Sequence, residues 1–322
     1  MAFGIVKAFD STVEMEDIRC LEAGDRLAGA SGPPYLSPTS LGMFWTDREE
    51  FYMNYIARVG RGPTTLPMLV GSAFDSYVKA FLGTQLFGAV RAEELGLELG
   101  ALLLSQVGDP VDRADAYAEG RAAFKLYVSC GALADLMLRI EELSDSERGA
   151  IRFEGDITDT ISGVRFRGKP DMSWESGHDG SVTVLDWKVN GWCASGGTSP
   201  AKGYRIVRPS GKVHKLWTAA GAAAGRGCFS LVKSDWARQL CIYGWLLGCP
   251  VGSEFRVMID QIAGRDRVAH HEGVIGVEFQ ASVMKQAKEC SAFLSRGVWP
   301  VAWRKKANVL LATQATLGPL FR

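Results

Sequence analysis

The sequence predicts a mixed α/β fold, with a mixed central β-sheet flanked by helices and a helical N-terminal portion. Three observations support this. Of the 322 residues, 47% are hydrophobic and 22% are charged, which is typical of a globular chain with a sizeable core. Helical periodicity dominates up to residue 150, and strand patterns then follow in quick succession. The helices and strands do not alternate from the start as βαβ units would.

The helices are predicted from apolar residues that recur every three or four positions. The first begins at a capped start, Leu36-Ser-Pro-Thr-Ser-Leu41, and continues with Phe44, Phe51, Tyr52 and Tyr55 on one face. A second covers residues 69–87, and an acidic third covers 112–142, which Gly131 can break. Two more are predicted at 234–247 and 281–295.

Strands are predicted where β-branched and aromatic residues cluster between turn residues. They cover residues 151–158, 164–174, 182–188, 255–262 and 267–277. The predicted organisation is an N-terminal extension (1–34), a helical portion (35–150), a core (151–300) and a C-terminal tail (301–322).

Charge is spread unevenly along a chain whose formal net charge is zero. Residues 189–234 hold seven basic side chains and no acidic one. Aromatic residues are interleaved with them, a composition suited to neutralising phosphates and stacking bases. We therefore expect this basic insert to contact DNA, chiefly through Lys202, Tyr204, Arg205, Arg208, Lys212 and Lys215. An ordinary solvated loop is the alternative.

Compartment is predicted from what the sequence lacks. The seven cysteines include no CxxC pair, the first residues carry acids where a signal peptide would be apolar, and no apolar run approaches about 18 residues. We expect a cytoplasmic protein with no membrane partner.

The chemistry is concentrated in Gly168-Lys-Pro-Asp171 and Val184-Leu-Asp186-Trp-Lys188. Asp186 and Lys188 face the same way on a strand because side chains alternate with a period of two. If strands 164–174 and 182–188 form a hairpin, Asp171 lies beside Asp186. Two adjacent carboxylates repel each other, and a divalent cation such as Mg²⁺ relieves that repulsion. The pattern predicts metal-assisted phosphodiester hydrolysis.

These residues resemble the PD-(D/E)xK nuclease superfamily, because Pro170-Asp171 is followed after fourteen residues by Asp186-Trp-Lys188. The chain is more closely similar to the RecB-like exonuclease branch, which includes phage-encoded and CRISPR-associated enzymes. Over residues 35–300 it carries that branch's further motifs in order: the Ser-x-Ser-x-Leu helix with Phe51-Tyr52, Gly71-Ser-Ala-Phe74-Asp75 and Gln239-Leu-Cys-Ile-Tyr243.

The resemblance implies a restriction-endonuclease-like core and assigns roles to several residues. Asp171, Asp186 and the Trp187 carbonyl would bind Mg²⁺ or Mn²⁺, and Lys188 would orient water and offset charge in the transition state. Gln239 and Tyr243 would brace the site. Asp75 stands where relatives usually have histidine, and its oxygen suits Mg²⁺ or Mn²⁺ as a further ligand.

The chain departs from the family at the cluster cysteines. Many relatives hold an iron–sulfur cluster with one cysteine near the first helix and three after the last. Here Phe44-Trp-Thr-Asp47 and the residues after Trp299-Pro300 lack cysteine, so we expect no iron–sulfur cluster.

The resulting hypothesis is a Mg²⁺- or Mn²⁺-dependent DNA exonuclease of phage or bacterial replication, recombination or repair, with a recombination or replication protein as a second partner. The alternatives are a structure- or sequence-specific endonuclease and a non-catalytic recombination accessory protein on a nuclease scaffold. Asp171 could also be an ordinary turn residue, Asp186 and Lys188 an exposed strand pair, Asp75 a solvated helix residue, and Gln239 and Tyr243 residues at the edge of the core.

Overall fold

The computed structural model describes residues 33–59, 64–143, 150–153, 155–175, 182–193 and 234–317. Helices flank a five-stranded, mostly antiparallel sheet, which confirms the predicted mixed α/β class. The chain divides into two compact units, one comprising residues 1–36, 40–62 and 286–322 and the other residues 37–39 and 63–285.

Helices precede the sheet along the chain, as predicted. They are α1 (Pro38–Thr46), α2 (Arg48–Phe51, continued by a π-helical turn at Tyr52–Ile56), α3 (Leu66–Glu94), α4 (Leu99–Gln106), α5 (Ala114–Ser129) and α6 (Ala132–Glu141). Gly131 has a φ of 82° and separates α5 from α6, because this left-handed conformation favours glycine. The break expected there is confirmed.

Seven strands lie within the described ranges, and five of them form the main sheet. In chain order the strands are β1 (Arg152–Phe153), β2 (Ile157–Ile161), β3 (Val164–Gly168), β4 (Met172–Glu175), β5 (Val182–Asn190), β6 (Phe255–Ala263) and β7 (Arg267–Ile275). The sheet order is β1-β4-β5-β6-β7, while β2 and β3 form a separate hairpin. Among the strands that the structure describes, β5 and β6 alone pair in parallel, and helix α7 (Ser234–Leu246) belongs to the connection between them.

The predicted strand 164–174 is broken by Lys169-Pro170-Asp171. Proline has no N–H and cannot donate to a ladder, so the chain leaves the hairpin after β3 and enters the main sheet as β4. Pairing with β5 therefore involves β4 alone. The predicted strand 151–158 is likewise divided between β1 and β2.

The core beneath the site is built by three helices and the sheet. Phe74 of α3, Tyr127 of α5 and Leu136 of α6 pack in one buried cluster with Leu185 of β5 and Met258 of β6. Because Leu185 points into this cluster, Asp186 points the opposite way. On that side α7 packs against β3 and β5.

The C-terminal region continues with α8 (Val277–Arg296) and α9 (Val301–Leu317). Residues 301–322 were expected to form a tail, and α9 is a helix that their weak periodicity did not indicate. In the unit that contains α9, the Tyr52 ring lies 5.0 Å from Trp299 and 6.0 Å from Trp303, measured between centroids. None of the helices within the described ranges is both long and apolar enough to cross a membrane.

Helix α5 approaches α3 closely at Gly120. A Cβ atom added there would lie 2.4 Å from the Ala73 Cβ and 3.0 Å from the Phe74 nitrogen. Gly120→Ala should therefore lower the free energy of unfolding by about 1–3 kcal/mol, as overpacking does. Gly71→Ala is the control, because no atom lies within 4 Å of its added Cβ and the change should stabilise α3 by about 0.5–1 kcal/mol. Urea unfolding measures the free energy of unfolding of the wild type and of both variants. Equal values for Gly120→Ala and Gly71→Ala would contradict the prediction.

Candidate active site

The register of β4 and β5 brings Asp171 and Asp186 together. Met172 pairs with Leu185, so the residue before Met172 faces the residue after Leu185. Asp171 immediately precedes β4, and its Oδ2 accepts the Trp187 N–H at 2.9 Å. The two carboxylates are thus close neighbours, as the sequence predicted.

Asp186 is almost completely buried, with 1% of its side chain exposed. Burial raises its pKa to about 7; the Asp171 carboxylate contributes to the rise, and the Lys188 ammonium opposes it. The Lys188 ammonium forms an ion pair with Asp186 Oδ2. The alternative of an exposed strand pair is therefore wrong for Asp186.

Helix α7 places Gln239 and Tyr243 over these groups, one helical turn apart. The Gln239 amide nitrogen lies 3.2 Å from Asp186 Oδ1 and 2.8 Å from the Tyr243 hydroxyl oxygen. Its carbonyl oxygen accepts from the Lys188 ammonium at 3.0 Å. Burial, followed by the charges of Asp186 and Asp171, raises the pKa of Tyr243, so its hydroxyl keeps its proton.

Gly168 allows the Tyr243 ring to reach this position. A Cβ atom at residue 168 would lie 2.7 Å from Tyr243 Cε1 and 2.8 Å from Leu246 Cδ1. The glycine of the Gly-Lys-Pro-Asp segment is therefore required by the close approach of α7 to β3.

Helix α3 adds Asp75 and Lys79, which lie four residues apart and so share a face. The Lys79 Nζ is 2.6 Å from Asp75 Oδ2 and 3.8 Å from Asp171 Oδ1. Lys79 is completely buried and Asp75 is 14% exposed, so the alternative of a solvated Asp75 is wrong. Sequence reasoning missed Lys79, although its spacing from Asp75 was a signal that could have suggested it.

The donor atoms at this site are suited to one small divalent cation. Asp171 and Asp186 supply carboxylate oxygens, which Mg²⁺ and Mn²⁺ prefer. A strand residue points its N–H and C=O to the same side. The Trp187 carbonyl is therefore directed to the side of Asp171, which accepts the Trp187 N–H. A cation here would also relieve the repulsion that helps raise the Asp186 pKa. No group of three or more His, Cys, Asp and Glu within the described ranges is arranged to hold a metal ion.

A second polar network lies behind β5, on the face opposite Asp186. The Trp187 indole donates to the Tyr127 hydroxyl oxygen at 3.4 Å, and that hydroxyl donates to Asp260. Asp260 is 3% exposed, and its other oxygen lies 2.6 Å from His270 Nδ1. Burial, reinforced by Asp260, holds the pKa of Tyr127 well above its usual value. This network fixes the side chain of Trp187, which lies between Asp186 and Lys188 on β5.

The residues expected to contact DNA lie outside the described ranges. This applies to the whole set from the basic insert: Lys202, Tyr204, Arg205, Arg208, Lys212 and Lys215. Their role stays a prediction.

Comparison with known proteins found no matching family model and no curated protein. Among solved structures, the chain is similar to one described as "Crystal structure of SSO0001" at 12% identity. The match covers 76% of this chain and 84% of that chain, with a TM-score of 0.27.

The buried carboxyl of Asp186 predicts a pH-dependent stability of the metal-free protein. The Asp186 carboxyl has a pKa of about 7 in the folded protein and of about 3.9 in an unfolded chain, so it keeps its proton to a higher pH when the protein is folded. Its contribution to stability is therefore fully present below about pH 4 and is lost as the pH rises through about 7.

Asp186→Asn should abolish this loss while keeping an oxygen that can accept from Gln239. Urea unfolding in EDTA from pH 4 to 8 measures both proteins. The free energy of unfolding of the variant should exceed that of the wild type by an amount that grows with pH up to about 7. A difference that stays constant with pH would contradict the raised pKa.

Proposed function

We propose that this chain is a Mg²⁺- or Mn²⁺-dependent DNA nuclease with a restriction-endonuclease-like core. The observation that carries the proposal is the meeting of Asp171, Asp186, Lys188 and Gln239 at the point where β4 begins beside β5. A fold has no structural need to bury one carboxylate beside another, since each raises the cost of ionising its neighbour. Metal-dependent hydrolysis of a phosphodiester would use the two carboxylates to hold the metal ion.

The side chains divide the work between binding and charge compensation. Asp171 and Asp186 would hold the cation together with the Trp187 carbonyl. When bound, the cation would polarise the scissile phosphate and lower the pKa of an attacking water. Lys188 would orient that water and offset the charge that develops on the phosphate oxygens. Gln239, which contacts both Asp186 and Lys188, would hold these two groups at their working separation.

The preference for an exonuclease of the RecB-like branch, acting in phage or bacterial replication, recombination or repair, comes from the sequence resemblance alone. An endonuclease would use the same residues. A non-catalytic accessory protein is disfavoured, because binding DNA does not call for a buried carboxylate with a second carboxylate and a lysine beside it.

Digestion of end-labelled linear duplex, single-stranded and covalently closed circular DNA tests the proposal. Each substrate is incubated with Mg²⁺, Mn²⁺ or EDTA. Linear DNA should be degraded only with metal, and Asp186→Ala and Lys188→Ala should each reduce the rate by about 10²-fold or more, because each removes a charged group from the reacting centre. Asp159→Ala and Lys288→Ala remove the same charges from exposed positions and should leave the rate unchanged.

The outcomes separate the alternatives. Sparing of the circles supports an exonuclease, and their cleavage supports an endonuclease. DNA binding without cleavage under any metal condition would favour the accessory protein, and metal-independent cleavage would contradict the site proposed here.

The basic insert provides an independent test of DNA as the partner. Neutralising Lys202, Arg205 and Arg208 together should weaken DNA binding and reduce the slope of log K against log[salt] by about 2.7 if each contacts one phosphate. Fluorescence anisotropy of a labelled duplex across a salt series measures both effects. The control variant neutralises Arg165, Lys285 and Lys288, which removes the same charge elsewhere. An identical loss in both variants would indicate an effect of net charge alone.

A further inference from the structure

Lys79 lies at this site, and the sequence resemblance assigns it no role. Its ammonium is completely buried, lying 2.6 Å from Asp75 Oδ2 and 3.8 Å from Asp171 Oδ1. Burying a lysine is costly unless acids compensate its charge closely. Two acids do so here, and one of them belongs to the pair proposed to hold the metal.

We infer that Lys79 takes the place of a second metal ion, so that the site binds one divalent cation. This inference rests on the proposed function and specifies how many metal ions that function uses. Two-metal hydrolases hold their ions about 3.5–4 Å apart and need carboxylates that serve both. Asp75 and Asp171 are the carboxylates available for a second ion beside Asp186. The ammonium of Lys79 lies between them.

The charges of the site agree with a single ion. Three carboxylates (Asp75, Asp171 and Asp186) and two ammonium groups (Lys79 and Lys188) leave one net negative charge when all are ionised. One divalent cation and one scissile phosphodiester bring the sum to zero. A second cation would leave two uncompensated positive charges beside a carboxylate that is 1% exposed, where charge is poorly screened.

Geometry adds a second reason. Asp171 uses Oδ2 to accept the Trp187 N–H, while its Oδ1 faces Lys79. An ion shared with Asp75 would have to displace the ammonium from both acids. On this view Asp75 is a positioning residue: it holds Lys79, and Lys79 in turn holds Asp171 in the orientation that the bound cation requires.

The test is to count Mn²⁺ ions. Equilibrium binding followed by electron paramagnetic resonance gives the number bound per chain, with and without a short duplex whose linkages resist hydrolysis. The double variant Asp171→Ala, Asp186→Ala is subtracted to remove ions bound elsewhere. The wild type should bind one Mn²⁺ at the site. Lys79→Met should bind two.

Controls separate charge from folding. Lys79→Arg keeps a cation and should stay at one Mn²⁺, so that only the loss of charge in Lys79→Met adds an ion, which a merely structural account of Lys79 does not predict. Lys79→Gln replaces Lys79→Met if the latter fails to fold, since its amide can still donate to Asp75. Circular dichroism establishes that each variant is folded.

The results distinguish this inference from the function on which it rests. Two Mn²⁺ at the wild-type site, or one in both neutral variants, would overturn the role of Lys79 and leave the nuclease proposal standing. No Mn²⁺ at the wild-type site would overturn both.

Discussion

The structure of the site depends on one constraint, the placement of two carboxylates side by side where one of them is shut away from water. Asp186 is held there by the register of β4 and β5, and Asp171 follows because Pro170 ends the preceding strand. Everything around the pair compensates for this cost. On β5 itself, the Trp187 N–H donates to Asp171 and the Lys188 ammonium pairs with Asp186. Helix α3 contributes Lys79, and helix α7 contributes Gln239.

The groups that compensate for this cost come from distant parts of the chain. Lys79 comes from a helix that precedes the sheet, and Gln239 comes from the helix between the two parallel strands. Each donor is also fixed by packing that does not involve charge, such as the close approach of the Tyr243 ring to Gly168. Positioning groups on packed elements in this way keeps a reacting geometry within narrow limits.

Sequence reasoning was strongest where the signal was local. The break at Gly131 followed from the backbone freedom of glycine, and the pairing of Asp186 with Lys188 followed from strand alternation. It was weakest where tertiary packing decides. Lys79 looked like any surface lysine four residues after an acid, because only the packed fold shows that its ammonium is buried. Strand 164–174 looked continuous because its residues suit a strand on either side of Pro170, although the two halves join different sheets.

The contact between β5 and α7 at the site joins residues that are far apart in the chain. Lys188 and Gln239 touch although 50 residues separate them in the chain. The entropy of closing a loop grows only with the logarithm of its length, so doubling the connection costs about 0.6 kcal/mol. Insertions or deletions in this connection should therefore cost little stability through loop closure alone.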